Sequence, residues 1–188
     1  MDTAIDAALA LFWQQGYEGT SLADLTEAMS VNRGSFYQAF GSKEELFDRV
    51  LLRYAETVAA YIAEATSLPT ARETTAAIWH GAVRATTGPT APHGCLIVHG
   101  ALSSAPENEA IRARLEAIRA ADRLRLRDRL TAAAQAGDLP AETDVETLAT
   151  YVITVQHGIA VQARSGASRE ALHAMVDLAL GALPAASE

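Results

Sequence analysis

The fold is decided by residues 20–47, which read TSLADLTEAMSVNRGSFYQAFGSKEELF. Ser21, with an acidic residue three positions later, forms a capping-box pattern that predicts the start of a short helix. A turn at residues 30–32 separates it from a second helix, and Leu25 and Phe36 provide apolar side chains through which the two helices can pack at an angle. The second helix keeps small and polar side chains on its free face. This pattern is typical of a helix-turn-helix, whose second helix can enter the major groove of DNA.

The composition excludes several other classes of protein. The chain has 188 residues, of which 49% are hydrophobic, enough for a buried core. The mean hydropathy is +0.06, and no apolar run approaches the roughly 20 residues of a membrane span. With no secretory signal and a single cysteine, Cys95, we expect a cytoplasmic protein that does not associate with a membrane. The net charge of −8 argues against a nonspecific nucleic-acid coat.

Apolar residues recur at helical spacing along nearly the whole chain, and no segment shows sustained alternation with a period of two. The sequence therefore predicts an all-α fold of about nine helices. The first helix ends near Gly16, the helix-turn-helix supplies the second and third, and a long fourth helix begins after Ser42 and continues through Ile62. Five further helices are expected at about residues 71–85, 95–103, 106–136, 145–163 and 169–183.

These helices are predicted to form two domains. The first three are too small to stand apart as a stable domain, so the fourth must join them to the rest of the chain. We place the boundary within that helix near Arg53. Residues 1–53 would then form the helix-turn-helix domain and residues 54–188 a second helical domain.

About the first fifty residues resemble the DNA-binding domain of TetR-family transcriptional regulators. The resemblance begins at residues 5–9 (IDAAL) and 16–21 (GYEGTS), and it continues through residues 31–37 (VNRGSFY) and 40–46 (FGSKEEL). It implies a ligand-responsive regulator, in most cases a repressor that a small-molecule effector releases from a palindromic, double-stranded DNA operator. The remaining helices match the family in number, length and order, and residues 94–98 (GCLIV) resemble one common C-terminal variety.

The resemblance implies DNA contacts for eight residues. Arg33 is the candidate for reading guanine, because its guanidinium can donate two hydrogen bonds to O6 and N7. Lys43, the single lysine of the sequence, matches the phosphate-contacting lysine of the family. The other candidates let the backbone approach the bases, or offer hydroxyl, amide or backbone N–H groups to bases and phosphates. They are Gly34, Ser35, Tyr37, Gln38, Thr20 and Ser21.

Two features depart from the family pattern. Ser30 stands in the turn where the family usually has glycine, and a left-handed backbone there would cost up to about 1 kcal/mol. Residues 1–54 also carry more acid than base: Arg33, Lys43, Arg49 and Arg53 stand against Asp2, Asp6, Glu18, Asp24, Glu27, Glu44, Glu45 and Asp48. Either the affinity for DNA is modest and strongly salt-dependent, or a basic arm precedes these residues.

In the family, helices four to seven enclose an effector pocket, and here they carry polar and aromatic residues among apolar ones. Asp122 interrupts an apolar stripe and would need a partner such as a neighbouring arginine. For each of these residues a role in the core is the simpler alternative. The candidate effector-binding residues are Tyr54, Val58, Tyr61, Trp79, His80, Val83, Cys95, His99, Leu102 and Asp122.

The last two helices are predicted to form a homodimer interface, as they do in the family. A dimer suits a helix-turn-helix protein, because it can read two half-sites about one helical turn of DNA apart. An ordinary intrachain core is the alternative explanation for the apolar stripes. The stripes consist of Val152, Val155 and Ile159 and of Leu172, Val176 and Leu180, with Gly158 and Ala160 as small residues that would let a partner helix approach.

Two other functions remain open. One is an all-helical enzyme, or a metal or thiol protein, that uses His93, Cys95, His99 or Asp122. A nearby imidazolium could lower the pKa of the Cys95 thiol and make it a redox or electrophile sensor. Zinc would want three or four ligands, and without a motif of recognisable spacing we expect no metal, no cofactor and no catalysis. The other is a regulator homologue that has lost DNA binding and acts through protein partners, which the acidic N-terminal region favours.

Overall fold

The structure is a computed structural model that describes residues 2–88, 93–102 and 108–184, without the side chains of residues 101 and 102. Within these ranges the chain forms ten α-helices and no β-strand, which confirms the all-α prediction. None of these helices is both long enough and apolar enough to cross a membrane. The helices are α1 (Asp2–Gly19), α2 (Leu22–Ala28), α3 (Arg33–Phe40), α4 (Lys43–Thr57), α5 (Ala60–Ala65), α6 (Ala71–Thr86), α7 (Leu96–Leu102), α8 (Glu109–Gln135), α9 (Val145–Arg164) and α10 (Arg169–Leu180).

The start of α2 forms as the capping pattern predicts. Gly16 has a non-helical backbone (φ 76°, ψ 172°), so α1 is interrupted at the predicted place before one further turn. Ser21 then caps α2, because its Oγ accepts a hydrogen bond from the backbone N–H of Asp24 at 3.1 Å. In return, the backbone N–H of Ser21 donates to the Asp24 carboxylate at 2.8 Å. Two backbone N–H groups at the start of the helix are thereby satisfied.

The turn between α2 and α3 requires a left-handed residue. Ser30 has φ 55°, and its N–H donates to the carbonyl of Glu27 at 3.0 Å. The N–H of Val31 donates to the carbonyl of Thr26 at 3.0 Å, which completes a Schellman motif. Asn32 then caps α3, since its Oδ1 accepts the N–H of Ser35 at 2.9 Å. These caps fix the direction in which α3 leaves the turn.

The predicted long fourth helix is wrong in one respect, because it breaks after Thr57. The N–H groups of Val58 and Ala59 both donate to the carbonyl of Tyr54, at 2.9 and 3.0 Å, and Ala59 (φ −98°, ψ 6°) leaves the helical conformation. The Thr57 hydroxyl donates to the carbonyl of Arg53 at 2.7 Å, a local bond of the kind that bends helices. A short helix, α5, therefore follows α4, and the count rises to ten.

Two buried clusters form the core. One joins α1–α4 to α7 and the start of α8, so that Leu96 and Ile111 lie in the same cluster as Phe12 and Phe47. The other is built by α6, α8, α9 and α10 around Trp79. The first three helices therefore rest on α7 and α8 as well as on α4, and a change at α7 can reach α1 directly.

Most of the predicted apolar stripes of α9 and α10 lie inside the subunit as intrachain core, whereas Val155 is half-buried and Gly158 is exposed. Val152, Ile159 and Val176 are fully buried, Leu172 and Leu180 nearly so, and Ala160 also faces inward. Trp79 Nε1 donates to the carbonyl of Val152 at 2.9 Å, which ties α6 to α9. The residues that these two helices expose include small or apolar ones, namely Thr154, Gly158 and Val161 on α9 and Ala171, Ala174 and Leu178 on α10, beside charged residues such as Asp177.

Candidate DNA-binding face and effector cavity

Helix α3 presents its predicted DNA-contacting residues on one exposed face. Phe36 and Phe40 point into the core and anchor the opposite face. The apolar inner face and the polar outer face therefore separate along the helix as a groove-binding helix requires. The residues exposed on the outer face are Arg33, Gly34, Ser35, Tyr37 and Gln38.

Arg33 is the first residue of α3, and its exposed guanidinium has no hydrogen bond or ion pair with any residue that the structure describes. It is therefore free to bind an acceptor on DNA. At Gly34, a Cβ atom would lie 3.3 Å from Oδ1 of Asn32, so a side chain there would crowd the cap of the helix. Tyr37 is 53% exposed, with its ring perpendicular to that of Phe36, and its hydroxyl can reach outward.

Thr20 and Ser21, two of the predicted phosphate-binding residues, differ in burial. The side chain of Thr20 is fully buried, and its hydroxyl donates to the carbonyl of Gly16 at 2.7 Å. This corrects the prediction that the Thr20 hydroxyl faces a phosphate, because the hydroxyl is buried and donates to a carbonyl at the break in α1. Ser21 is exposed at the N-terminus of α2, where the helix dipole favours an anion.

Lys43 lies against an aromatic ring. Its Nζ is 4.1 Å from the centroid of the Tyr17 ring. Burial lowers the pKa of Lys43, while the charges of Glu18 and Asp24 act in the opposite direction. Because Lys43 is the first residue of α4, this contact holds the ammonium group at the N-terminus of that helix, close to the start of α2.

Helix α8 supplies part of the positive charge that the first four helices lack. Arg114 forms ion pairs with Glu44 at 2.8 Å and with Asp48 at 3.3 Å. Within the N-terminal helices, Arg53 pairs with Asp6 at 2.7 Å. Three acidic side chains of the N-terminal helices are therefore compensated. Sequence reasoning missed Arg114, because nothing local links it to a helix some seventy residues earlier.

Four of the predicted effector residues line one inner cavity. Tyr54, Tyr61, Cys95 and Asp122 surround it, and Asp122 is paired with Arg125 at 2.9 Å, which confirms its predicted need for an arginine. Burial raises the pKa of Asp122, an effect that Arg125 partly offsets. Sequence reasoning missed the polar residues that complete the wall. These are Arg119, Gln156, His157 and Thr86, of which Gln156 and His157 interrupt the apolar pattern of α9 and could have been noticed.

The other predicted effector residues lie elsewhere. Trp79 and Val83 are fully buried in the core, and Val58 packs against the N-terminal cluster. His80 contacts α10, with its Nδ1 at 2.8 Å from Nδ1 of His173. Their apolar or aromatic character reflects packing between helices, which the sequence pattern could not distinguish from a cavity wall. His99 borders a separate cavity beside α1, and the side chain of Leu102 lies outside the described part of the chain.

The environment of Cys95 differs from the one we expected. Burial raises the pKa of its thiol, although the Tyr54 hydroxyl donates to Sγ at 3.3 Å and lowers it in part. The His99 ring does not hold the thiol, since its Nδ1 lies 2.8 Å from the backbone carbonyl of Cys95. The predicted acidification of the thiol by an imidazolium is therefore wrong. His93 is exposed, and no three His, Cys, Asp or Glu side chains within the described ranges are placed to hold a metal ion.

The capped two-helix unit, the exposed polar face of α3 and the helical domain behind it define a helix-turn-helix regulator. Residues 4–50 match the family described as "Bacterial regulatory proteins, tetR family", and residues 69–178 match the "Tetracyclin repressor-like, C-terminal domain". The chain therefore belongs to the TetR family of bacterial transcriptional regulators. Regulators of this family are dimeric.

Individual relatives agree with this assignment. The HTH-type transcriptional repressor ComR of Escherichia coli (strain K12) is 34% identical over 173 residues, which are 91% of this chain and 82% of ComR. The uncharacterized HTH-type transcriptional regulator YezE of Bacillus subtilis (strain 168) is 29% identical, over 97% of this chain and 96% of YezE. A cysteine mutant of the TetR family transcriptional regulator CifR, complexed with 26-bp double-strand operator DNA, superposes with a TM-score of 0.92 at 43% identity, covering 97% of this chain and 96% of that one.

Proposed function

We propose that the protein is a repressor that binds a palindromic operator as a homodimer and releases it when a small molecule occupies the inner cavity. Residues 1–53 would bind DNA, and residues 54–188 would bind the effector and dimerise. The protein would act in the cytoplasm, where DNA is accessible to it. The observation that carries the proposal is the exposed face of α3, on which Arg33 has no partner among the described residues.

Two cations have separable roles in this proposal. Arg33 lies on the outer face of α3 and would read guanine through a bidentate hydrogen bond. Lys43 lies at the start of α4, where it would bind a phosphate, and phosphate contacts position a protein without reading sequence. The operator complex of CifR supports DNA binding by this chain, because the two folds superpose over nearly their whole length.

The test is a mobility-shift assay on DNA upstream of the protein's own gene, at two salt concentrations and against random duplex. Arg33→Ala should lower operator affinity by about 1–3 kcal/mol and affect random duplex less. Lys43→Met keeps an apolar stem over Tyr17 and removes the charge, so it should weaken binding to all sequences alike and reduce the salt slope by about one unit per half-site. Arg112→Gln removes an exposed arginine of α8 and serves as the matched control.

Each result decides between hypotheses. If Arg33→Ala and Lys43→Met bind operator as the wild type does, the helix-turn-helix is a scaffold and the protein acts through protein partners. If Arg33→Ala weakens operator and random duplex equally, Arg33 binds phosphate and the assignment of guanine reading is wrong. Circular dichroism of both variants separates a loss of binding from a loss of folding.

A thiol-based response is a second possibility for the same cavity. Cys95 lines the cavity wall, and Leu96, the next residue, belongs to the cluster that includes α1. A group attached to the thiol would therefore push on the element that carries the DNA-binding helices. The enzyme hypothesis has less support, because the Cys95 thiol and the His99 ring make separate contacts rather than a nucleophile–base pair.

A further inference from the structure

The inner cavity contains a cation that pairs with no anion among the described residues. Nε of Arg119 is buried and has no hydrogen-bond partner among the residues that the structure describes. The acid in the same wall, Asp122, is engaged by Arg125. A buried donor without an acceptor costs about 1–3 kcal/mol, and more when the group is charged. The cavity therefore has an unsatisfied preference for a negatively charged acceptor.

Other groups in the wall can support such an acceptor. Gln156 donates to the hydroxyl oxygen of Tyr61 at 3.0 Å, which leaves the hydroxyl hydrogen of Tyr61 available. Burial raises the pKa of Tyr61, so this hydrogen is retained at neutral pH. Burial and the charge of Arg119 lower the pKa of His157, which keeps its imidazole neutral and able to donate one hydrogen bond. Arg119, Tyr61 and His157 thus offer one charged and two neutral donors.

The cavity is small and opens beside a larger groove. Its free volume is about 30 Å³, room for about two water molecules and thus for the two oxygens of one carboxylate. A groove of about 790 Å³ lies between α4, α5 and α8. The two spaces share wall residues and are therefore adjacent, and a ligand that spans them would pass between these residues. The shared residues are Ala59, Ile62, Ile97 and Asp122.

The groove is apolar and electrically neutral. Its walls include Leu51 and Ile118, and Leu52 is 66% exposed beside it. The acids at its edge are compensated, since Asp48 pairs with Arg114 and Asp122 with Arg125. Its volume falls in the range of sites that enclose small organic ligands. The groove therefore offers space for a hydrocarbon tail and no partner for a second charge.

We infer that the effector site takes an amphipathic monocarboxylate, with the carboxylate bound to Arg119 in the inner cavity and the apolar tail in the groove. A neutral apolar ligand would leave Arg119 unpaired. A phosphate monoester would bring a larger head group and a second charge into a space bordered by Asp122. The inference that a carboxylate binds follows from the cavity alone, whereas the inference that it regulates DNA binding rests on the proposed function.

The tail would contact the helix that leads to the DNA-binding unit. Leu51 and Leu52 lie on α4, whose first residue is Lys43. Pressure on α4 from the groove would move its N-terminus together with the neighbouring α1, which packs on α4. Occupancy of the groove would therefore change the position of the phosphate-binding lysine.

The test is calorimetric titration of the full chain with decanoate, and with 1-decanol as the neutral probe of the same length. The wild type should bind decanoate at least tenfold more tightly than 1-decanol. Arg119→Gln should abolish this preference, and Arg119→Lys should restore part of it. Asp122→Asn should tighten decanoate binding. Arg112→Gln, two turns away on the same helix and paired with Glu109 and Glu116, should behave as the wild type does.

A second variant keeps the test decisive if substitution of Arg119 impairs folding. Ala121→Phe fills the groove without changing any charge, so it should weaken decanoate binding and leave the weak binding of propionate unchanged. Equal affinity for decanoate and 1-decanol in the wild type, or wild-type decanoate affinity in a folded Arg119→Gln, would overturn the inference. So would unchanged decanoate affinity in Ala121→Phe.

Operator binding, measured on the same proteins without probe, separates the two proposals. If decanoate binding depends on Arg119 while no protein binds operator, the carboxylate site stands and the repressor proposal fails. If the wild type binds operator and decanoate does not bind at all, the repressor proposal stands and the carboxylate site is wrong.

Discussion

Ser30 is the non-glycine residue with a positive φ in the described part of the chain, and its conformation makes a prediction at the scale of one residue. Its side chain is exposed, so the cost of φ 55° is not offset by packing. Ser30→Gly relieves this cost but gains entropy in the unfolded chain. We expect a net increase of at most about 0.5 kcal/mol in the free energy of unfolding, measured with urea. Ser30→Ala keeps the strain and is the control; an equal gain there would point to another cause.

Cys95 carries a second prediction at this scale. Because burial raises the pKa of its thiol, the thiolate fraction at pH 7 is smaller than for a free cysteine, and the rise of reactivity with pH moves to higher pH. Alkylation by iodoacetamide should therefore be slower than for glutathione from pH 7 to 9. If the thiol-based response is correct, complete alkylation weakens operator binding, and the same treatment leaves Cys95→Ser unaffected. Faster reaction at pH 7 would show that the thiolate is stabilised instead.

Single residues were predictable where their role is local. The capping role of Ser21 and the break at Gly16 follow from a few neighbouring positions, and both are found. The place of Arg119 in the cavity wall was not predictable, because other parts of that wall come from α4 and α9, which are far from Arg119 in the sequence. Thr20 shows that the residue type alone can mislead. Its hydroxyl could bind a phosphate, but it already donates a local hydrogen bond to the carbonyl of Gly16.

At the scale of elements, the sequence predicted where helices form better than it predicted which helices pack against each other. Helical periodicity continued across residues 58–59, so the break between α4 and α5 was invisible. The apolar stripes of α9 and α10 were correctly identified as buried faces, but a stripe does not say whether a helix of the same chain or of a partner covers it. Val152 and Val176 are covered by the same chain.

One arginine joins the end of α9 to α1. Arg164 donates from Nη2 to the carbonyl of Gln14 at 2.9 Å and from Nη1 to the carbonyls of Trp13 and His93, at 3.5 and 3.4 Å. Trp13 Nε1 in turn donates to the carbonyl of Gly94 at 2.9 Å, beside Cys95. The end of α9, the segment at residues 93–94 and α1 therefore meet at this side chain.

Arg164→Gln should loosen α1. We expect the free energy of unfolding to fall by about 1–2 kcal/mol, because charged hydrogen bonds to helix carbonyls are lost. Amide hydrogen exchange in α1 should accelerate. Arg129→Gln is the matched control, since Arg129 also donates to two carbonyls, those of Leu68 and Pro69, far from α1. Equal acceleration of α1 exchange in both variants would show that the effect is global and that Arg164 has no special link to α1.

At the scale of the whole molecule, the exposed small and apolar residues of α9 and α10 form a surface on which a second copy can pack. Gly158 has no atom within 4 Å of where its Cβ would lie, so a partner helix can approach α9 closely there. Leu178 is 80% exposed on α10 and Val161 40% exposed on α9. Dimerisation through this surface would bury these side chains and set two α3 helices at the spacing of two half-sites.

Leu178→Arg tests this surface without disturbing the core. The arginine would place an unpaired charge in an apolar interface, so the variant should sediment as a monomer at micromolar concentration while its circular dichroism stays unchanged. Its affinity for a palindromic operator should fall at least a hundredfold, because a monomer engages one half-site and loses the linked second contact. Leu124→Arg, at a half-exposed leucine of α8, should remain dimeric and bind operator normally. A folded Leu178→Arg that stays dimeric would place the interface on another face, whereas a monomer that still binds operator at full affinity would show that pairing of half-sites does not drive DNA recognition.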